Sequence, residues 1–350
     1  MSFTNKWLCV SACLVAAPLA PAEVLSFTGF ATTTINEIVN GAAGKSDSDS
    51  GSHPASALPI QVVSRVTSDD LLNPSAGAVA AQFADPTALS SLNPEEFAIN
   101  LTLNSVTPSI RYQATAETSE TRRVVFNPGD LGLFSRTGEQ RRVSGRLYLD
   151  GALAIISVIE GRDLTGANVT LKASIVKRAD GAADQVVFDG AITMTGAANN
   201  TTGLSVEGAF PTRRLILTDL SIFQPNFEVF QVLILPNIAI DYAYNVVIGE
   251  EFELVATVKV DAQNVPDNVG VAAVIGTPIG TLSEVFAATR GQTVAADVVD
   301  TIQTERESPS GDLAFDDGLA ALGGLCGAFG IESLLGFSLI GTALIRRRHA

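Results

Sequence analysis

Apolar and polar residues alternate with a period of two over much of the chain between Glu23 and Val299. The clearest run puts Ile238, Ile240, Tyr242, Tyr244, Val246 and Ile248 at every second position, with Asn237, Asp241 and Asn245 among the residues between them. A strand turns successive side chains to opposite faces, so this run predicts a strand with one buried face. Gly249-Glu250 then interrupts the chain, and Phe252, Leu254, Ala256, Val258 and Val260 resume the alternation, which predicts that the two runs form a β-hairpin. Shorter runs at Ile99, Leu101 and Leu103, at Leu147 and Leu149, at Val169 and Leu171, and at Ile192 and Met194 predict further strands. Asp150-Gly151, Asp180-Gly181 and Asp189-Gly190 supply turn chemistry between them, because glycine accepts positive φ and aspartate bonds its own backbone.

Short strands at roughly ten-residue spacing, separated by polar turns, predict an all-β fold, an antiparallel β-sandwich of jelly-roll-like arrangement. A helix is expected at 76–83 and a second at 86–92, where alanine is dense and β-branched residues are sparse, and they would cap one end of the sandwich. Residues 41–57 contain Lys45, a Ser-Asp alternation and His53, are poor in apolar side chains, and read as a flexible loop or linker. The polar stretch from Gly196 to Gly203 reads as a loop within one domain in preference to a domain boundary. The β domain is expected to occupy 23–300, followed by a linker at 301–324 that begins rich in Glu, Asp, Ser and Pro.

The two ends carry a different pattern. After Lys6 an apolar run covers 7–17, and Ala20 and Ala22 stand at the −3 and −1 positions relative to Glu23, the layout of a secretory signal peptide over 1–22. Val10-Ser11-Ala12-Cys13 resembles a lipobox, but the apolar stretch continues beyond Cys13, and cleavage after Ala22 is the reading adopted. At the other end, 325–345 is apolar with Glu332 as its one charge, and Arg346, Arg347 and Arg348 follow at once in the basic tail 346–350. At about 1.5 Å per residue this predicts a transmembrane helix that just crosses a hydrocarbon core of about 30 Å. An arginine cluster kept on the cytoplasmic side agrees with an exported N-terminus, and Glu332 lies toward the outer interface, where an acid is tolerated.

A short motif, an apolar span and a terminal arginine cluster together resemble the tripartite sorting tails of the PEP-CTERM and MYXO-CTERM type. Gly330-Ile331-Glu332-Ser333 stands where PEP-CTERM tails carry Pro-Glu-Pro-Ser, with neither proline present, and 334–345 followed by the arginines matches the remainder. Cys326-Gly327 is similar to tails that carry a cysteine at the processing site. The resemblance covers only 325–350. It implies that a membrane-embedded sorting protease recognises the tail, and that the protein is exported to the cell surface, outer envelope or extracellular space with transient or stable membrane anchoring.

Composition narrows the chemistry. Lys and Arg number 22 against 37 Asp and Glu, and the net charge of −15 repels phosphate backbones, so no nucleic-acid partner is expected. Apolar residues at 46% against 17% charged imply a chain able to bury a sizeable core. Cys9, Cys13 and Cys326 all lie in the terminal segments, which leaves no disulfide for the β domain. The two histidines are His53 and His349, so serine triads, Cys-His pairs and histidine-ligated metal sites are excluded from it. A carboxylate pair for glycoside cleavage remains open and would want an aromatic platform. Trp7 falls in the leader, which leaves Tyr112, Tyr148, Tyr242 and Tyr244, the last two expected in the core from their alternation. Calcium is the metal such a domain could hold, through Asp47 and Asp49, Asp261 and Asp267, or Asp312, Asp316 and Asp317. None of these matches a calcium-loop pattern, solvated loops are the expectation, and no cofactor is predicted.

The expectation from sequence is a non-enzymatic, membrane-sorted surface or extracellular-matrix protein with a structural or adhesive role, its partners being the membrane, a sorting protease and cell-surface polysaccharide. Two other readings stay open: a lectin-like carbohydrate-binding module, calcium-assisted or not, and a carboxylate-dependent glycosidase or lyase.

Overall fold

The computed structural model describes residues 23–276 apart from 55–59, 68–74, 83–96, 106, 132–133, 158, 213–214, 220–227 and 267. The strands are β1 (Glu23–Val39), β2 (Ala42–Ser52), β3 (Ile60–Thr67), β4 (Ser75–Gln82), β5 (Phe97–Ser105), β6 (Ile110–Val125) and β7 (Gln140–Ser157). They continue with β8 (Asn168–Arg178), β9 (Gln185–Gly196), β10 (Thr202–Gly208), β11 (Ile216–Asp219), β12 (Val229–Val247), β13 (Glu251–Gln263) and β14 (Val269–Ile275). They form two antiparallel seven-stranded sheets packed as a sandwich: sheet I runs β10-β9-β8-β13-β6-β1-β2, and sheet II runs β11-β12-β7-β14-β5-β4-β3. No helix occurs among the described residues.

The order has an internal logic. β1–β6 fill one half of both sheets and β7–β12 fill the other. The two halves go round the same ring of positions from different starting points: β1–β6 begins at the middle strand of its sheet I trio, passes by the edges β2 and β3 to β4 and β5, and closes on the inner strand β6, whereas β7–β12 begins at the inner strand of sheet II, crosses to β8, and passes by the edges β10 and β11 to β12. The last two strands then take the fourth, central place in each sheet: β13 pairs with β6 and β8, and β14 pairs with β5 and β7. The alternation read from the sequence supplies the core between the sheets, where Ile35, Leu101, Leu103, Tyr112, Leu147, Leu171, Leu233, Val258 and Val271 are among the fully buried side chains.

Several expectations are corrected. The runs 238–248 and 252–260 are strands, but β12 lies in sheet II and β13 in sheet I, so they form an arch between sheets and not a hydrogen-bonded hairpin. Both runs turn their apolar side chains inward. Tyr244 meets Phe252 edge-on at 5.7 Å between centroids, and Phe252 stacks on Phe126 at 6.1 Å. The segment expected to be a helix over 76–83 contains strand β4, which pairs with β3 and β5; Ala76, Ala78 and Ala80 face the core, and sheet pairing overrides alanine's helix preference. The second expected helix, the linker and the terminal span lie outside the described residues.

Residues 42–52 of the supposed flexible loop are strand β2. Asn40 and Gly41 take φ of 51° and 82°, the pair of positive values that a two-residue hairpin turn requires. The Ser-Asp alternation then has a structural meaning, because Ser46, Ser48 and Ser50 turn to one side and Asp47 and Asp49 to the other. The Asp47 carboxylate accepts the Arg65 N–H at 2.7 Å, and the Asp49 carboxylate accepts the Val63 N–H at 3.0 Å. Both amides lie on the outer edge of β3, where no strand pairs with them among the described residues. The edge of sheet I thus caps the edge of sheet II with charge-assisted bonds. Just inside this seam, the hydroxyls of Thr33 and Ser64 meet at 2.7 Å between the sheets.

Of the three expected Asp-Gly turns only Asp180-Gly181 is one, with Gly181 at a φ of 74°. Gly151 and Gly190 lie inside β7 and β9, where a Cβ at Gly190 would stand 2.7 Å from the Phe210 amide nitrogen and one at Gly151 would collide with the Val274 carbonyl. Close approach of backbone, not a turn, requires glycine there.

Two outcomes follow. Replacing Asp47 and Asp49 together with alanine should lower stability by about 1–2 kcal/mol in urea titrations, since each lost bond is partly solvent-exposed; serine at Ser48 replaced by alanine should leave the midpoint in place. Burial raises the Tyr244 pKa from 10.0 to about 12 and raises that of Tyr112 as well, the latter helped by Glu37. The unfolded chain therefore releases protons that the fold retains, so stability should be whole below pH 10 and fall as pH rises toward 12. Tyr244→Phe should flatten that decline in urea midpoints measured from pH 9 upward.

Candidate functional site

The outward face of sheet I carries an ordered array of short polar side chains. Following the registers across the sheet, one row reads Ser48, Thr34, Thr115, Asp261, Thr170, Thr193 and Ser205, one residue from each of the seven strands. The next row reads Ser46, Asn36, Gln113, Gln263, Asn168, Thr195 and Gly203. At about 4.8 Å between strands and about 7 Å between rows, the array is a strip roughly 29 Å long with hydroxyls on one line and mainly amides on the other.

β-Branched threonine suits a pleated surface, and cross-strand hydroxyl pairs add to its stability. Neighbours hold one another: the Thr170 and Thr193 hydroxyls lie 2.9 Å apart, Thr115 Oγ1 donates to Asp261 Oδ1 at 2.7 Å, and Gln113 Nε2 donates to Gln263 Oε1 at 2.5 Å. Gln263 also donates to the Gly166 carbonyl at 2.8 Å. Asp261 is the one charged side chain in the two rows, and it is paired with Lys259 at 3.1 Å. Charges concentrate elsewhere on this face, in the row Glu117, Lys259, Lys172 and Glu207, and toward the far end at Arg123 and Glu251, which pair with each other. Short side chains already fixed by neighbours lose little freedom when something lies against them.

Chemically, such a strip can donate and accept hydrogen bonds along an extended neutral ligand. It holds no nucleophile–base pair. Charged side chains buried among the described residues are Glu37, Glu120 and Arg122. Glu120 accepts a two-pronged contact from Arg122, at 2.8 Å and 3.3 Å. Glu37 accepts the Lys45 N–H at 3.1 Å and the Tyr112 hydroxyl at 3.4 Å. Glu37 pairs in register with Tyr112, eight positions along β6 from Glu120, so the two buried carboxyls sit on the order of 27 Å apart, well beyond the ~5–10 Å that glycoside cleavage requires.

The other sequence candidates fall as follows. Tyr112, Tyr242 and Tyr244 are core residues, and only Tyr148 turns outward, on sheet II, where Arg146 lies 5.7 Å over its ring and bridges to Asp241 at 2.6 Å. Asp47 and Asp49 serve the β3 amides, as described. His53 is half-buried with its ring 5.7 Å from Phe27. Among the described residues no three His, Cys, Asp or Glu side chains converge in a way that could hold a metal. Asp267, Asp312, Asp316 and Asp317 lie outside the described residues, as do Ala20, Ala22, Cys326, Gly327, Glu332, Arg346, Arg347 and Arg348. The hydroxyl rows were absent from the sequence reading because each strand contributes one residue and only the register aligns them. The one local sign was the strict Ser alternation in β2.

No family model matches the chain. No curated protein matches it either. Among solved structures it was set beside a chain from the infectious bursal disease virus Gt strain, at 13% identity over 82% of this chain and 74% of that one, with a TM-score of 0.09. A chain from the Gx strain gives 10% identity over 71% and 65%, also at 0.09, and the VP2 subviral particle gives 11% over 82% and 74%, at 0.07. Scores at that level carry no inference about fold or function.

Proposed function

We propose that this chain is an exported surface or matrix protein that lies against polysaccharide through the two polar rows of sheet I. The observation that carries this is the seven-strand line of hydroxyls with amides beside it, nearly free of charge, on a protein of net charge −15. An acidic protein has its charge elsewhere for solubility, while a neutral strip of matched donors and acceptors suits the repeating hydroxyls of a sugar chain. The signal-peptide pattern at 1–22, with Ala20 and Ala22 before the cut, would export it. The span 325–345 and the arginines after it would hold the chain at the membrane until a sorting protease acts near Cys326-Gly327 or Glu332. The role is structural or adhesive: many weak contacts spread over a strip, in place of one deep site.

Two measurements test it. Depletion of the mature protein from solution by insoluble neutral polysaccharides should show binding, and Thr115→Arg with Thr193→Arg should weaken it at least tenfold while lowering the unfolding free energy from urea titration by no more than about 1–3 kcal/mol, the cost of two part-buried hydroxyl bonds. Absence of binding across a broad panel, or binding indifferent to both substitutions, overturns the assignment of the strip; loss of binding with chelator would instead select a calcium-assisted lectin. Intact-mass analysis of protein from fractionated cells should find a product beginning at Glu23 and ending before Leu334, and a cytosolic product with both ends whole would remove the export and sorting roles.

A further inference from the structure

Strand β10 ends sheet I on the side away from β2, and only β9 pairs with it among the described residues. The register between the two is unbroken, from Thr202 against Gly196 to Gly208 against Gly190. Beyond either end one further bond continues the ladder: the Ala197 N–H donates to the Thr201 carbonyl at 2.8 Å, and the Ala209 N–H donates to the Asp189 carbonyl at 3.0 Å. Bonded and non-bonded positions alternate along an antiparallel pair, so Thr201 and Ala209 fix the parity between them. Gly203, Ser205 and Glu207 bond to β9, while the N–H and C=O groups of Thr202, Leu204 and Val206 point the other way, out of the sheet edge. Among the described residues no strand or side chain takes these groups. The opposite side of the sandwich is closed, since Asp47 and Asp49 engage the Arg65 and Val63 amides of β3. β10 has none of the features that blunt an open edge: it holds no lysine or proline and no bulge, and its one charge is Glu207.

The geometry points to a second copy of this chain as the occupant of that edge, its β10 paired antiparallel with β10 about a two-fold axis at Leu204. The outward-pointing trio is symmetric about Leu204. Rotation sets Leu204 against Leu204 and Thr202 against Val206 on either side, so the N–H groups of the trio in each copy meet the carbonyls of the trio in the other and none is left over. A register moved by one pairing step draws instead on Gly208 or Asn200, whose φ of 65° and 59° turn the chain out of the strand. The same register suits the side chains. Leu204 and Val206 face the interior at the open rim of the core and are only partly buried within one chain, and the pairing covers them with apolar and β-branched neighbours. Glu207 falls opposite Thr201, which keeps the two Glu207 carboxylates about 20 Å apart, beyond the screening length of about 8 Å.

The axis also has a consequence for the outward face. Ser205 of the hydroxyl row and Gly203 of the amide row stand on either side of Leu204. Pairing about Leu204 therefore joins each row of one copy to the other row of its partner, and two seven-stranded sheets carry one strip about 62 Å long. The dimer stands on backbone geometry; only the use of the longer strip rests on the polysaccharide reading.

The full chain in mild detergent, with no polysaccharide present, should sediment as a reversible dimer with a Kd on the order of 10 μM, as suits a short interface. Leu204→Pro removes an N–H that faces away from β9, a place where an edge strand accepts proline, and should raise that Kd at least about tenfold. Residue-resolved hydrogen exchange of the unaltered chain gives a reading that does not depend on a variant folding. The Leu204 and Val206 amides should exchange about fourfold more slowly at about 100 μM than at about 1 μM, in step with the monomer fraction, while the Ser205 amide, bonded to Thr193 within the chain, stays protected at both. A monomer at about 100 μM, a dimer indifferent to Leu204→Pro with its urea midpoint retained, or Leu204 and Val206 amides that ignore concentration would each overturn the pairing. Failure of the polysaccharide reading would leave all three measurements as expected.

Discussion

Everything in this sandwich depends on two strands that arrive last. Without β13 and β14 each sheet is two separate three-stranded pieces, with the inner edges of β6, β8, β5 and β7 open. Inserting them completes a backbone ladder on both sides of each, from Glu251 to Gln263 in sheet I and from Val269 to Ile275 in sheet II. The partners are far apart along the chain: Val271 meets Leu103, and Val260 meets Ala116. Such pairings carry a large loop-closure entropy before they are rewarded, so closure is expected to be the slow step of folding. The inward residues Val258, Val260, Val271 and Ala273 then join the two halves into one apolar core.

The polar groups that the core cannot absorb are placed where the sheets meet or end. Asn264, in the link between the two central strands, accepts the Tyr112 N–H at 2.7 Å and donates to the Val269 carbonyl, so a buried side chain satisfies backbone that no strand reaches. Glu37, also buried, accepts the Lys45 N–H and the Tyr112 hydroxyl. With the interior apolar and the seams satisfied, the outward positions of sheet I are free of structural duty beyond β preference. Their matched bonding is therefore the feature to which a role can be attached, whereas the central outward positions of sheet II, such as Ala154, Val232 and Val274, are buried.

Much of the architecture was legible because period-two alternation directly reports a half-buried strand. Ile238 to Ile248 and Phe252 to Val260 announced β12 and β13, yet alternation says which face is buried and not which strand is the neighbour, so an arch between sheets was read as a hairpin. Segment 42–52 escaped because its alternation is between two polar types, Ser outward and Asp inward, which a hydrophobicity pattern does not separate. The Asn40-Gly41 pair before it was the available signal. Ala76, Ala78 and Ala80 misled through intrinsic helix preference, a local quantity that the flanking strands outweigh. Asp150-Gly151 and Asp189-Gly190 carried turn composition for a different reason, the nearness of the Val274 and Phe210 backbones. The hydroxyl rows could not be seen before the register was known.

The carboxylate seam between β2 and β3 bears on how copies of this protein can meet. Growth of a fibre by strand addition consumes two unsatisfied borders per molecule, one to receive and one to offer. At this side the Val63 and Arg65 amides are already engaged by Asp49 and Asp47, which leaves such growth to the opposite side, at β10 and the four-residue β11. A molecule whose strand borders are usable on one side only can pair there once and then stops, so strand addition ends at a pair and does not build an amyloid-like stack.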